Sequence, residues 1–504
     1  MINNVTVWLD KTAEKFPDKL AFSDENIAVT FENLRKRAIA LAGKIMEKKL
    51  FKMPIAVMIE KSVDTLIAFM AVAYSGNFYT VIDTDMPDSR KQKIFEVFNP
   101  SLVISSQRHK EIIDNLHIDQ KDIIYIEDPL ELELQSYEDE VLMQRERCCD
   151  TDLLYILFTS GSTGVPKGVT ICHRSVVDYI DWVEETFEIT EKDTFGNQAP
   201  FYFDNSVLDI YTSIKTGATL EIIPRNLFAQ PVRLLNYIIE KEINTIFWVP
   251  SELVLVANLH ALKKVDLTMT LKRVLFAGEV MPAKQLNEWR KYLPGAMYAN
   301  LYGPTEITVD CTCYIVDREF EDDEPIPIGK PIRNSNVLVL NENNKLVFGD
   351  EIGELCVRGT SLSMGYYNNP EKTKEVFIQN PFNHAYQEWI YKTGDLVKYN
   401  QYGELVYVSR KDYQIKHMGH RIELGEIENV VSGMRGVDSC CCVYDDKRKK
   451  IVLVYEGKLE KEEIIPLLKT SVPEYMMPGK IMSIASMPMN ANGKIDRKKI
   501  KGLI

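Results

Sequence analysis

Ile156-Leu-Phe-Thr-Ser-Gly-Ser-Thr-Gly-Val-Pro-Lys-Gly-Val-Thr170 joins two β-prone runs through a loop of glycine and small hydroxyl residues. The apolar run Leu153 to Phe158 predicts a strand that delivers the backbone into Thr159, Ser160, Gly161, Ser162, Thr163 and Gly164. Lys167 follows, and then the second run. Glycines let backbone N–H groups close on an anion, the hydroxyls add donors, and the lysine adds charge. That is chemistry for holding a polyphosphate. No Gly-Lys-Ser/Thr opens a helix here, so the loop is not a Walker loop.

On either side of this loop the pattern alternates. Val29 to Glu47 carries apolar residues at helical spacing, Ile55 to Ile59 reads as a buried strand, and Asp64 to Tyr74 is helical up to Gly76. Alternation resumes from Ser175 to Leu301, with strands at Thr219–Ile223, Thr245–Val249 and Arg273–Phe276. Such alternation predicts an α/β fold of helix-flanked, largely parallel sheets. From Pro325 to Val408 short strands and turns replace it, including Asn336–Asn341 and Gly353–Arg358, which predicts a small β subdomain. Near Arg410-Lys-Asp412 the texture shifts again, to helices at Gly425–Ser432 and Lys461–Ser471 and strands at Ser439–Tyr444 and Lys450–Tyr455. The expected organisation is a large N-terminal domain, 1–410, and a small mobile α+β domain, 411–504.

A chain of 504 residues is too long for one core. Its 45% hydrophobic and 26% charged content is that of an ordinary globular protein. A net charge of −13 argues against nonspecific nucleic-acid binding, which needs a basic face. No apolar run reaches the ~18 residues of a membrane span, and the start shows no secretory pattern. Nine cysteines, several adjacent and none in Cys-x-x-Cys spacing, make a poor disulfide or zinc framework. The expected setting is the cytoplasm, and the expected state a monomer.

Four further motifs follow in order: Tyr302-Gly-Pro-Thr-Glu306, Tyr391-Lys-Thr-Gly-Asp395, Ser409-Arg-Lys-Asp412 and Asn492-Gly-Lys494. With the Thr159–Gly164 loop, this set resembles the adenylate-forming superfamily of acyl-CoA synthetases, luciferases and nonribosomal adenylation domains. The likeness runs from Thr30-Phe-Glu-Asn-Leu34 to Arg497, and among its members the chain is most similar to free-standing aminoacyl-adenylating enzymes such as D-alanine–carrier protein ligase. One residue departs from the pattern: Ser409 stands where the family usually carries glycine.

The resemblance implies ATP and Mg²⁺ as reactants and assigns parts to residues. Thr159 to Gly164 and Lys167 would hold the β- and γ-phosphates. Thr305 would meet the α-phosphate, and Glu306 would offer Mg²⁺ a hard oxygen. Asn300 and Tyr302 would lie against adenine, Leu301, Gly303 and Pro304 would belong to the ATP site with them, and Tyr407 would border it. Asp395, read as part of a tight Thr-Gly-Asp turn, and Arg410 would hold the ribose. Lys494, in a turn-rich segment, would be the catalytic cation bridging the substrate carboxylate and α-phosphate.

In amino-acid-activating relatives, the residue matching Asp204 of Phe201-Tyr-Phe-Asp-Asn-Ser-Val207 pairs with the substrate ammonium. Fatty-acid and aryl-acid activators generally lack it. Motif alignment adds Asn205, Leu208, Trp248, Leu275, Ala277, Leu301, Val309 and Asp310 to the side-chain pocket. Trp248 and three leucines predict a small neutral amino acid, with D-alanine first, although D-alanine ligases typically show cysteine at the place of Ala277. Asp310 could accept a hydrogen bond from a serine-like hydroxyl. Only ten residues follow Lys494, so the expected acceptor is the phosphopantetheine thiol of a carrier protein in trans. Gly419, with Lys416 beside it, matches the loop that lines the thiol's tunnel, and Asp412 the hinge. Two alternatives share the adenylation chemistry: an acyl- or aryl-CoA ligase, and a serine or other small L-amino-acid enzyme of nonribosomal peptide synthesis.

Overall fold

Short apolar strands followed by amphipathic helices build two sheets in the computed structural model. It describes the chain except residues 1, 117, 128–133, 161–164, 412–413 and 490–494 and the side chains of 134–136. The larger sheet orders its strands Lys330–Pro331, Thr312–Ile315, Met297–Tyr302, Arg273–Phe276, Thr245–Trp248, Thr194–Asn197, Thr219–Ile222, Leu20–Ser23 and Ala28–Thr30. From Met297–Tyr302 to Leu20–Ser23 the pairing is parallel, and both edges are closed by antiparallel strands. A parallel sheet is covered on both faces, so alternate residues of one strand enter different cores. Leu275 and Ala277 join one apolar cluster, and Val274 and Phe276 another.

The second sheet runs Ile123–Tyr125, Leu102–Ser105, Pro54–Met58, Phe78–Val81, Leu153–Thr159 and Lys167–Cys172. The two β-prone runs around the glycine-rich loop are therefore strands, and Lys167 is the first residue of the second. The predicted β subdomain is a five-stranded sheet of Ser335–Leu340, Gly353–Gly359, Trp389–Tyr399, Phe377–Gln379 and Leu405–Arg410. No helix among the described residues is long and apolar enough to cross a membrane.

By its internal contacts the chain divides into two units. The first comprises Met1–Thr84, Asn99–Leu157 and Gly168–Ser409; the second, Asp85–Phe98, Phe158–Lys167 and Arg410–Ile504. No shift in composition marks the two short segments that join the second unit. Long-range pairs do: the buried Arg90 guanidinium meets the Glu426 carboxylate at 2.6 Å, and Ser89 Oγ donates to Thr470 O at 2.9 Å. Within that unit, helices Leu424–Ser432 and Lys461–Ser471 accompany the sheet Val437–Asp445, Lys450–Gly457 and Lys480–Ser483. Helix Lys461–Ser471 forms despite Pro466; a capping box between Glu460 and Glu463 satisfies its first turn.

Candidate active site

Strand Met297–Tyr302 and the turn after it carry the first group of predicted residues. Asn300 Nδ2 donates to Pro327 O at 2.8 Å, and the buried Tyr302 phenol donates to the Asp395 carboxylate. Tyr407 packs, half-buried, against the same apolar cluster as Tyr302. Leu301, between them in sequence, turns to the cluster of Leu275 and Ala277. Gly303 has no room for a side chain, because a Cβ there would lie 2.2 Å from Val309 O. The segment then doubles back, with Thr308 at φ 53° and Val309 at φ 70°, a conformation costly for a β-branched residue and common where function over-determines the backbone.

Asp395 is not in a turn. Thr393, Gly394 and Asp395 lie inside strand Trp389–Tyr399, where pairing with Gly353–Gly359 loses register and Gly394 takes φ 73°. This is a bulge, and bulges re-aim side chains out of a ladder. The Asp395 N–H donates to Thr393 Oγ1 at 3.0 Å, and the Gly394 N–H to Glu354 Oε1 at 3.2 Å.

Glu306 follows Pro304 and the half-buried Thr305 in a single 3-10 turn, and it is fully buried. Tyr366 Oη donates to Glu306 Oε1 at 2.7 Å. No group of three or more His, Cys, Asp and Glu residues suited to a metal occurs among the described residues. A lone carboxylate fits Mg²⁺, which keeps waters and binds one or two carboxylates together with substrate phosphates.

Of the residues expected at the substrate, Asp204, Asn205 and Leu208 lie at the start of helix Asn205–Thr216. Asp204 is its N-cap, 8% exposed, and Asn205 its first residue. Leu208, Leu275, Ala277, Leu301 and Val309 all belong to one apolar cluster. Asp310 is buried and accepts a hydrogen bond from Tyr179 Oη at 2.6 Å. Burial, Asp310 and Asp204 together raise the Tyr179 phenol well above its ordinary range, and burial and Asp204 raise that of Tyr155. Two carboxylates thus act on one tyrosine. The sequence reading missed Tyr155, Tyr179 and Tyr366, since no motif marks them.

Trp248 does not join this group. It pairs in register with Phe276 and shares the second cluster, while Leu275 and Ala277 point to the first. Its Nε1–H donates to Gly196 O at 2.9 Å, and its ring meets Phe228 edge-on at 5.2 Å. Strand alternation, which a motif alignment does not track, puts the indole on the other face of the sheet. Trp248→Ala is accordingly expected to destabilise the first unit by about 3–5 kcal/mol and leave amino-acid preference unchanged. Denaturant unfolding and a substrate panel check this; new activity on bulky amino acids at undiminished stability would return Trp248 to the pocket.

In the second unit, the loop residues meet the hairpin Gln414–His417/His420–Glu423. Ser160 Oγ donates to Arg421 O at 2.7 Å and accepts from the Glu423 N–H at 3.2 Å. Lys167 Nζ lies 3.8 Å from Glu423 Oε1. Thr159 Oγ1 stands 3.5 Å from Lys167 O. Arg410 and Arg421 both donate to Gln414 Oε1, at 2.6 and 2.7 Å. The hairpin turns on Met418 at φ 52° and Gly419 at φ 77°, the two positive φ values of a type I′ turn, and Lys416 lies on its first strand. Gly161, Ser162, Thr163, Gly164, Asp412 and Lys494 lie outside the described residues.

The family model for AMP-binding enzymes matches residues 9–367. The zwittermicin A synthase ZmaJ of Bacillus cereus is 32% identical over 497 residues, covering 96% of this chain and 91% of its own length. Gramicidin S synthase 1 of Brevibacillus brevis is 31% identical over 97% of this chain, and tyrocidine synthase 1 of Brevibacillus parabrevis 30% over 97%. The chain spans 44% of the length of each of these two synthases. In fold it resembles an artificially fused adenylation–PCP di-domain from Klebsiella oxytoca (TM-score 0.80, 21% identity, 95% of this chain and 94% of that one). It also resembles the amide bond synthetase McbA of Marinactinospora thermotolerans (TM-score 0.86, 17% identity, 99% of both chains). The chain belongs to the AMP-binding enzyme family, within the adenylate-forming superfamily.

Proposed function

We propose that this protein activates a small neutral amino acid with ATP as the aminoacyl adenylate, then passes the acyl group to the phosphopantetheine thiol of a carrier protein. In the first step the substrate carboxylate oxygen attacks the α-phosphorus and pyrophosphate leaves. In the second the thiol sulfur attacks the acyl carbon and AMP leaves. The observation that carries the amino-acid reading is Asp204, a buried carboxylate whose charge acts on the buried Tyr155 and Tyr179. A carboxylate so placed can pair with a substrate ammonium, an interaction that an acid lacking the amine cannot make. The gramicidin S, tyrocidine and zwittermicin A synthases among the relatives support a biosynthetic acid-activating role.

With Trp248 on the other face, the argument for a small side chain rests on Leu208, Leu275 and Leu301. D-Alanine remains the first choice and serine the second, Asp310 and Tyr179 offering hydroxyl-compatible partners. Mg²⁺ at Glu306 would neutralise charge on the phosphates. Asn300, Tyr302 and Tyr407 supply the adenine border, Asp395 the ribose acceptor, and Arg410 a second ribose partner.

The hairpin bears on the order of events. The one hydroxyl proton of Ser160 is directed at Arg421 O and Lys167 faces Glu423, so the hairpin would compete with triphosphate for these two loop residues. The resemblance implies, separately, a hinge at Asp412 that brings the Lys494 face forward for adenylation and the Gly419 face forward for thioester formation, a rigid-body switch. An amino-acid panel in pyrophosphate exchange tests the reading. D-Alanine or another small neutral amino acid should be best, and tryptophan and arginine inactive. A preference for benzoate or short fatty acids would replace it with a CoA-ligase reading.

A further inference from the structure

Between strand Pro54–Met58 and helix Val63–Tyr74, Lys61 sends its side chain to the end of strand Thr194–Asn197. Its Nζ donates to Gln198 O at 3.0 Å and Asn197 O at 3.3 Å, and lies 5.6 Å from the centre of the buried Phe201 ring. Asn197, the last residue of that strand, donates through Nδ2 to Asp209 Oδ2 at 2.8 Å, and both residues are fully buried. Asp209 belongs to helix Asn205–Thr216, whose N-cap is Asp204. The intervening turn closes on itself, with Phe203 N–H donating to Pro200 O at 3.0 Å and Ser206 Oγ to Phe203 O at 2.7 Å. One lysine therefore holds the chain entering the turn, and one Asn–Asp bond holds the helix leaving it.

This arrangement is costly. Desolvation drives the Lys61 amine down to about 7 against the pull of Asp209, and drives the Asp209 carboxyl up to about 8 against the pull of Lys61 and the Asn197 hydrogen bond. An apolar residue of similar length would avoid that cost. What it would not supply is two hydrogen bonds to the carbonyls of Asn197 and Gln198 at the strand end, where Asn197 O already accepts from the Ile223 N–H at 3.2 Å.

We propose that Lys61 is a positioning residue for substrate-amine recognition, fixing the Pro200–Asp204 turn and so the place of the Asp204 carboxylate. The proposal rests on the reading that Asp204 meets the substrate ammonium.

The test compares full-length Lys61→Met and Lys61→Arg with wild type in two measurements. In hydrogen exchange, amides of 199–207 should exchange about tenfold faster in Lys61→Met, the scale of one hydrogen bond to a charged group, with Lys61→Arg near wild type. In pyrophosphate exchange, KM for the amino acid should rise about tenfold in Lys61→Met while KM for ATP stays put, and preference over the deaminated acid should fall by the same factor. Unchanged exchange at 199–207 overturns the proposal, as does accelerated exchange with unaltered KM and amine preference, which would make Lys61 structural only. Should Lys61→Met fail to fold, Lys61→Gln takes its place with the same expectations. Asp204→Ala run in parallel keeps the two readings apart. If it retains full amine preference, the Asp204 reading fails by itself, and exchange at 199–207 alone decides whether Lys61 holds the turn.

Discussion

Asp204→Ala is expected to lower kcat/KM for amino-acid activation by about 3–5 kcal/mol, the cost of stripping one partner from a buried ion pair. The carboxylate stands 8% exposed at the N-cap of helix Asn205–Thr216, and its charge acts on the buried Tyr155 and Tyr179. On the proposed reading, the substrate ammonium would pair with this buried carboxylate. Activity on the deaminated acid should fall much less, because that acid has no ammonium for Asp204 to meet. Asp204→Asn serves as the isosteric control, keeping shape while removing charge, and should follow Asp204→Ala. Pyrophosphate exchange with the amino acid and its deaminated analogue measures both. Wild-type activation by Asp204→Ala would show that this residue is not the anchor, and a wild-type enzyme favouring deaminated acids would end the aminoacyl reading.

The second large effect separates the half-reactions by residue. Lys494→Ala should cut amino-acid-dependent pyrophosphate exchange by roughly 10²–10³, the loss seen when one charge-stabilising donor is removed from a transition state. A chemically supplied aminoacyl adenylate should still pass to the thiol. Gly419→Leu should do the reverse, with exchange nearly intact and carrier loading lost as the side chain fills the thiol's path. That variant needs its own control. Gly419 sits at φ 77° in a two-residue hairpin turn, where a non-glycine residue costs about 1–2 kcal/mol. Gly419→Asn tolerates that conformation with a shorter side chain, so it reports turn strain apart from bulk. Circular dichroism and thermal unfolding of each variant guard against a collapsed second unit. If Lys494→Ala and Gly419→Leu lose the same half-reaction, alternation between two faces is wrong for this protein.

Most element types were legible along the chain. Arg273–Phe276 and Lys461–Ser471 match their predicted ranges, and the two runs flanking the glycine-rich loop are strands. These features rest on local causes: apolar period, caps and turn residues. The Thr-Gly-Asp segment was misjudged for a local reason as well. Glycine between two turn-forming residues reads as a turn, yet inside an eleven-residue strand the same glycine makes a bulge. Trp248 was misjudged for a non-local one, since the face a strand residue takes depends on the register of its neighbours.

What the sequence determined by itself is the family and most of the order of elements, because ordered motifs and periodic patterns are properties of the chain alone. What only tertiary structure decided is which side chains meet. Tyr179 reaches Asp310 across 131 positions, Tyr302 reaches Asp395 across 93, Tyr366 reaches Glu306 across 60, and Lys61 reaches Gln198 across 137. Each pair joins side chains from elements that no local rule brings together. Burial sets the strength of these pairs, since a hydrogen bond or a charge counts for most where water is excluded, and exclusion of water is a property of the packed fold.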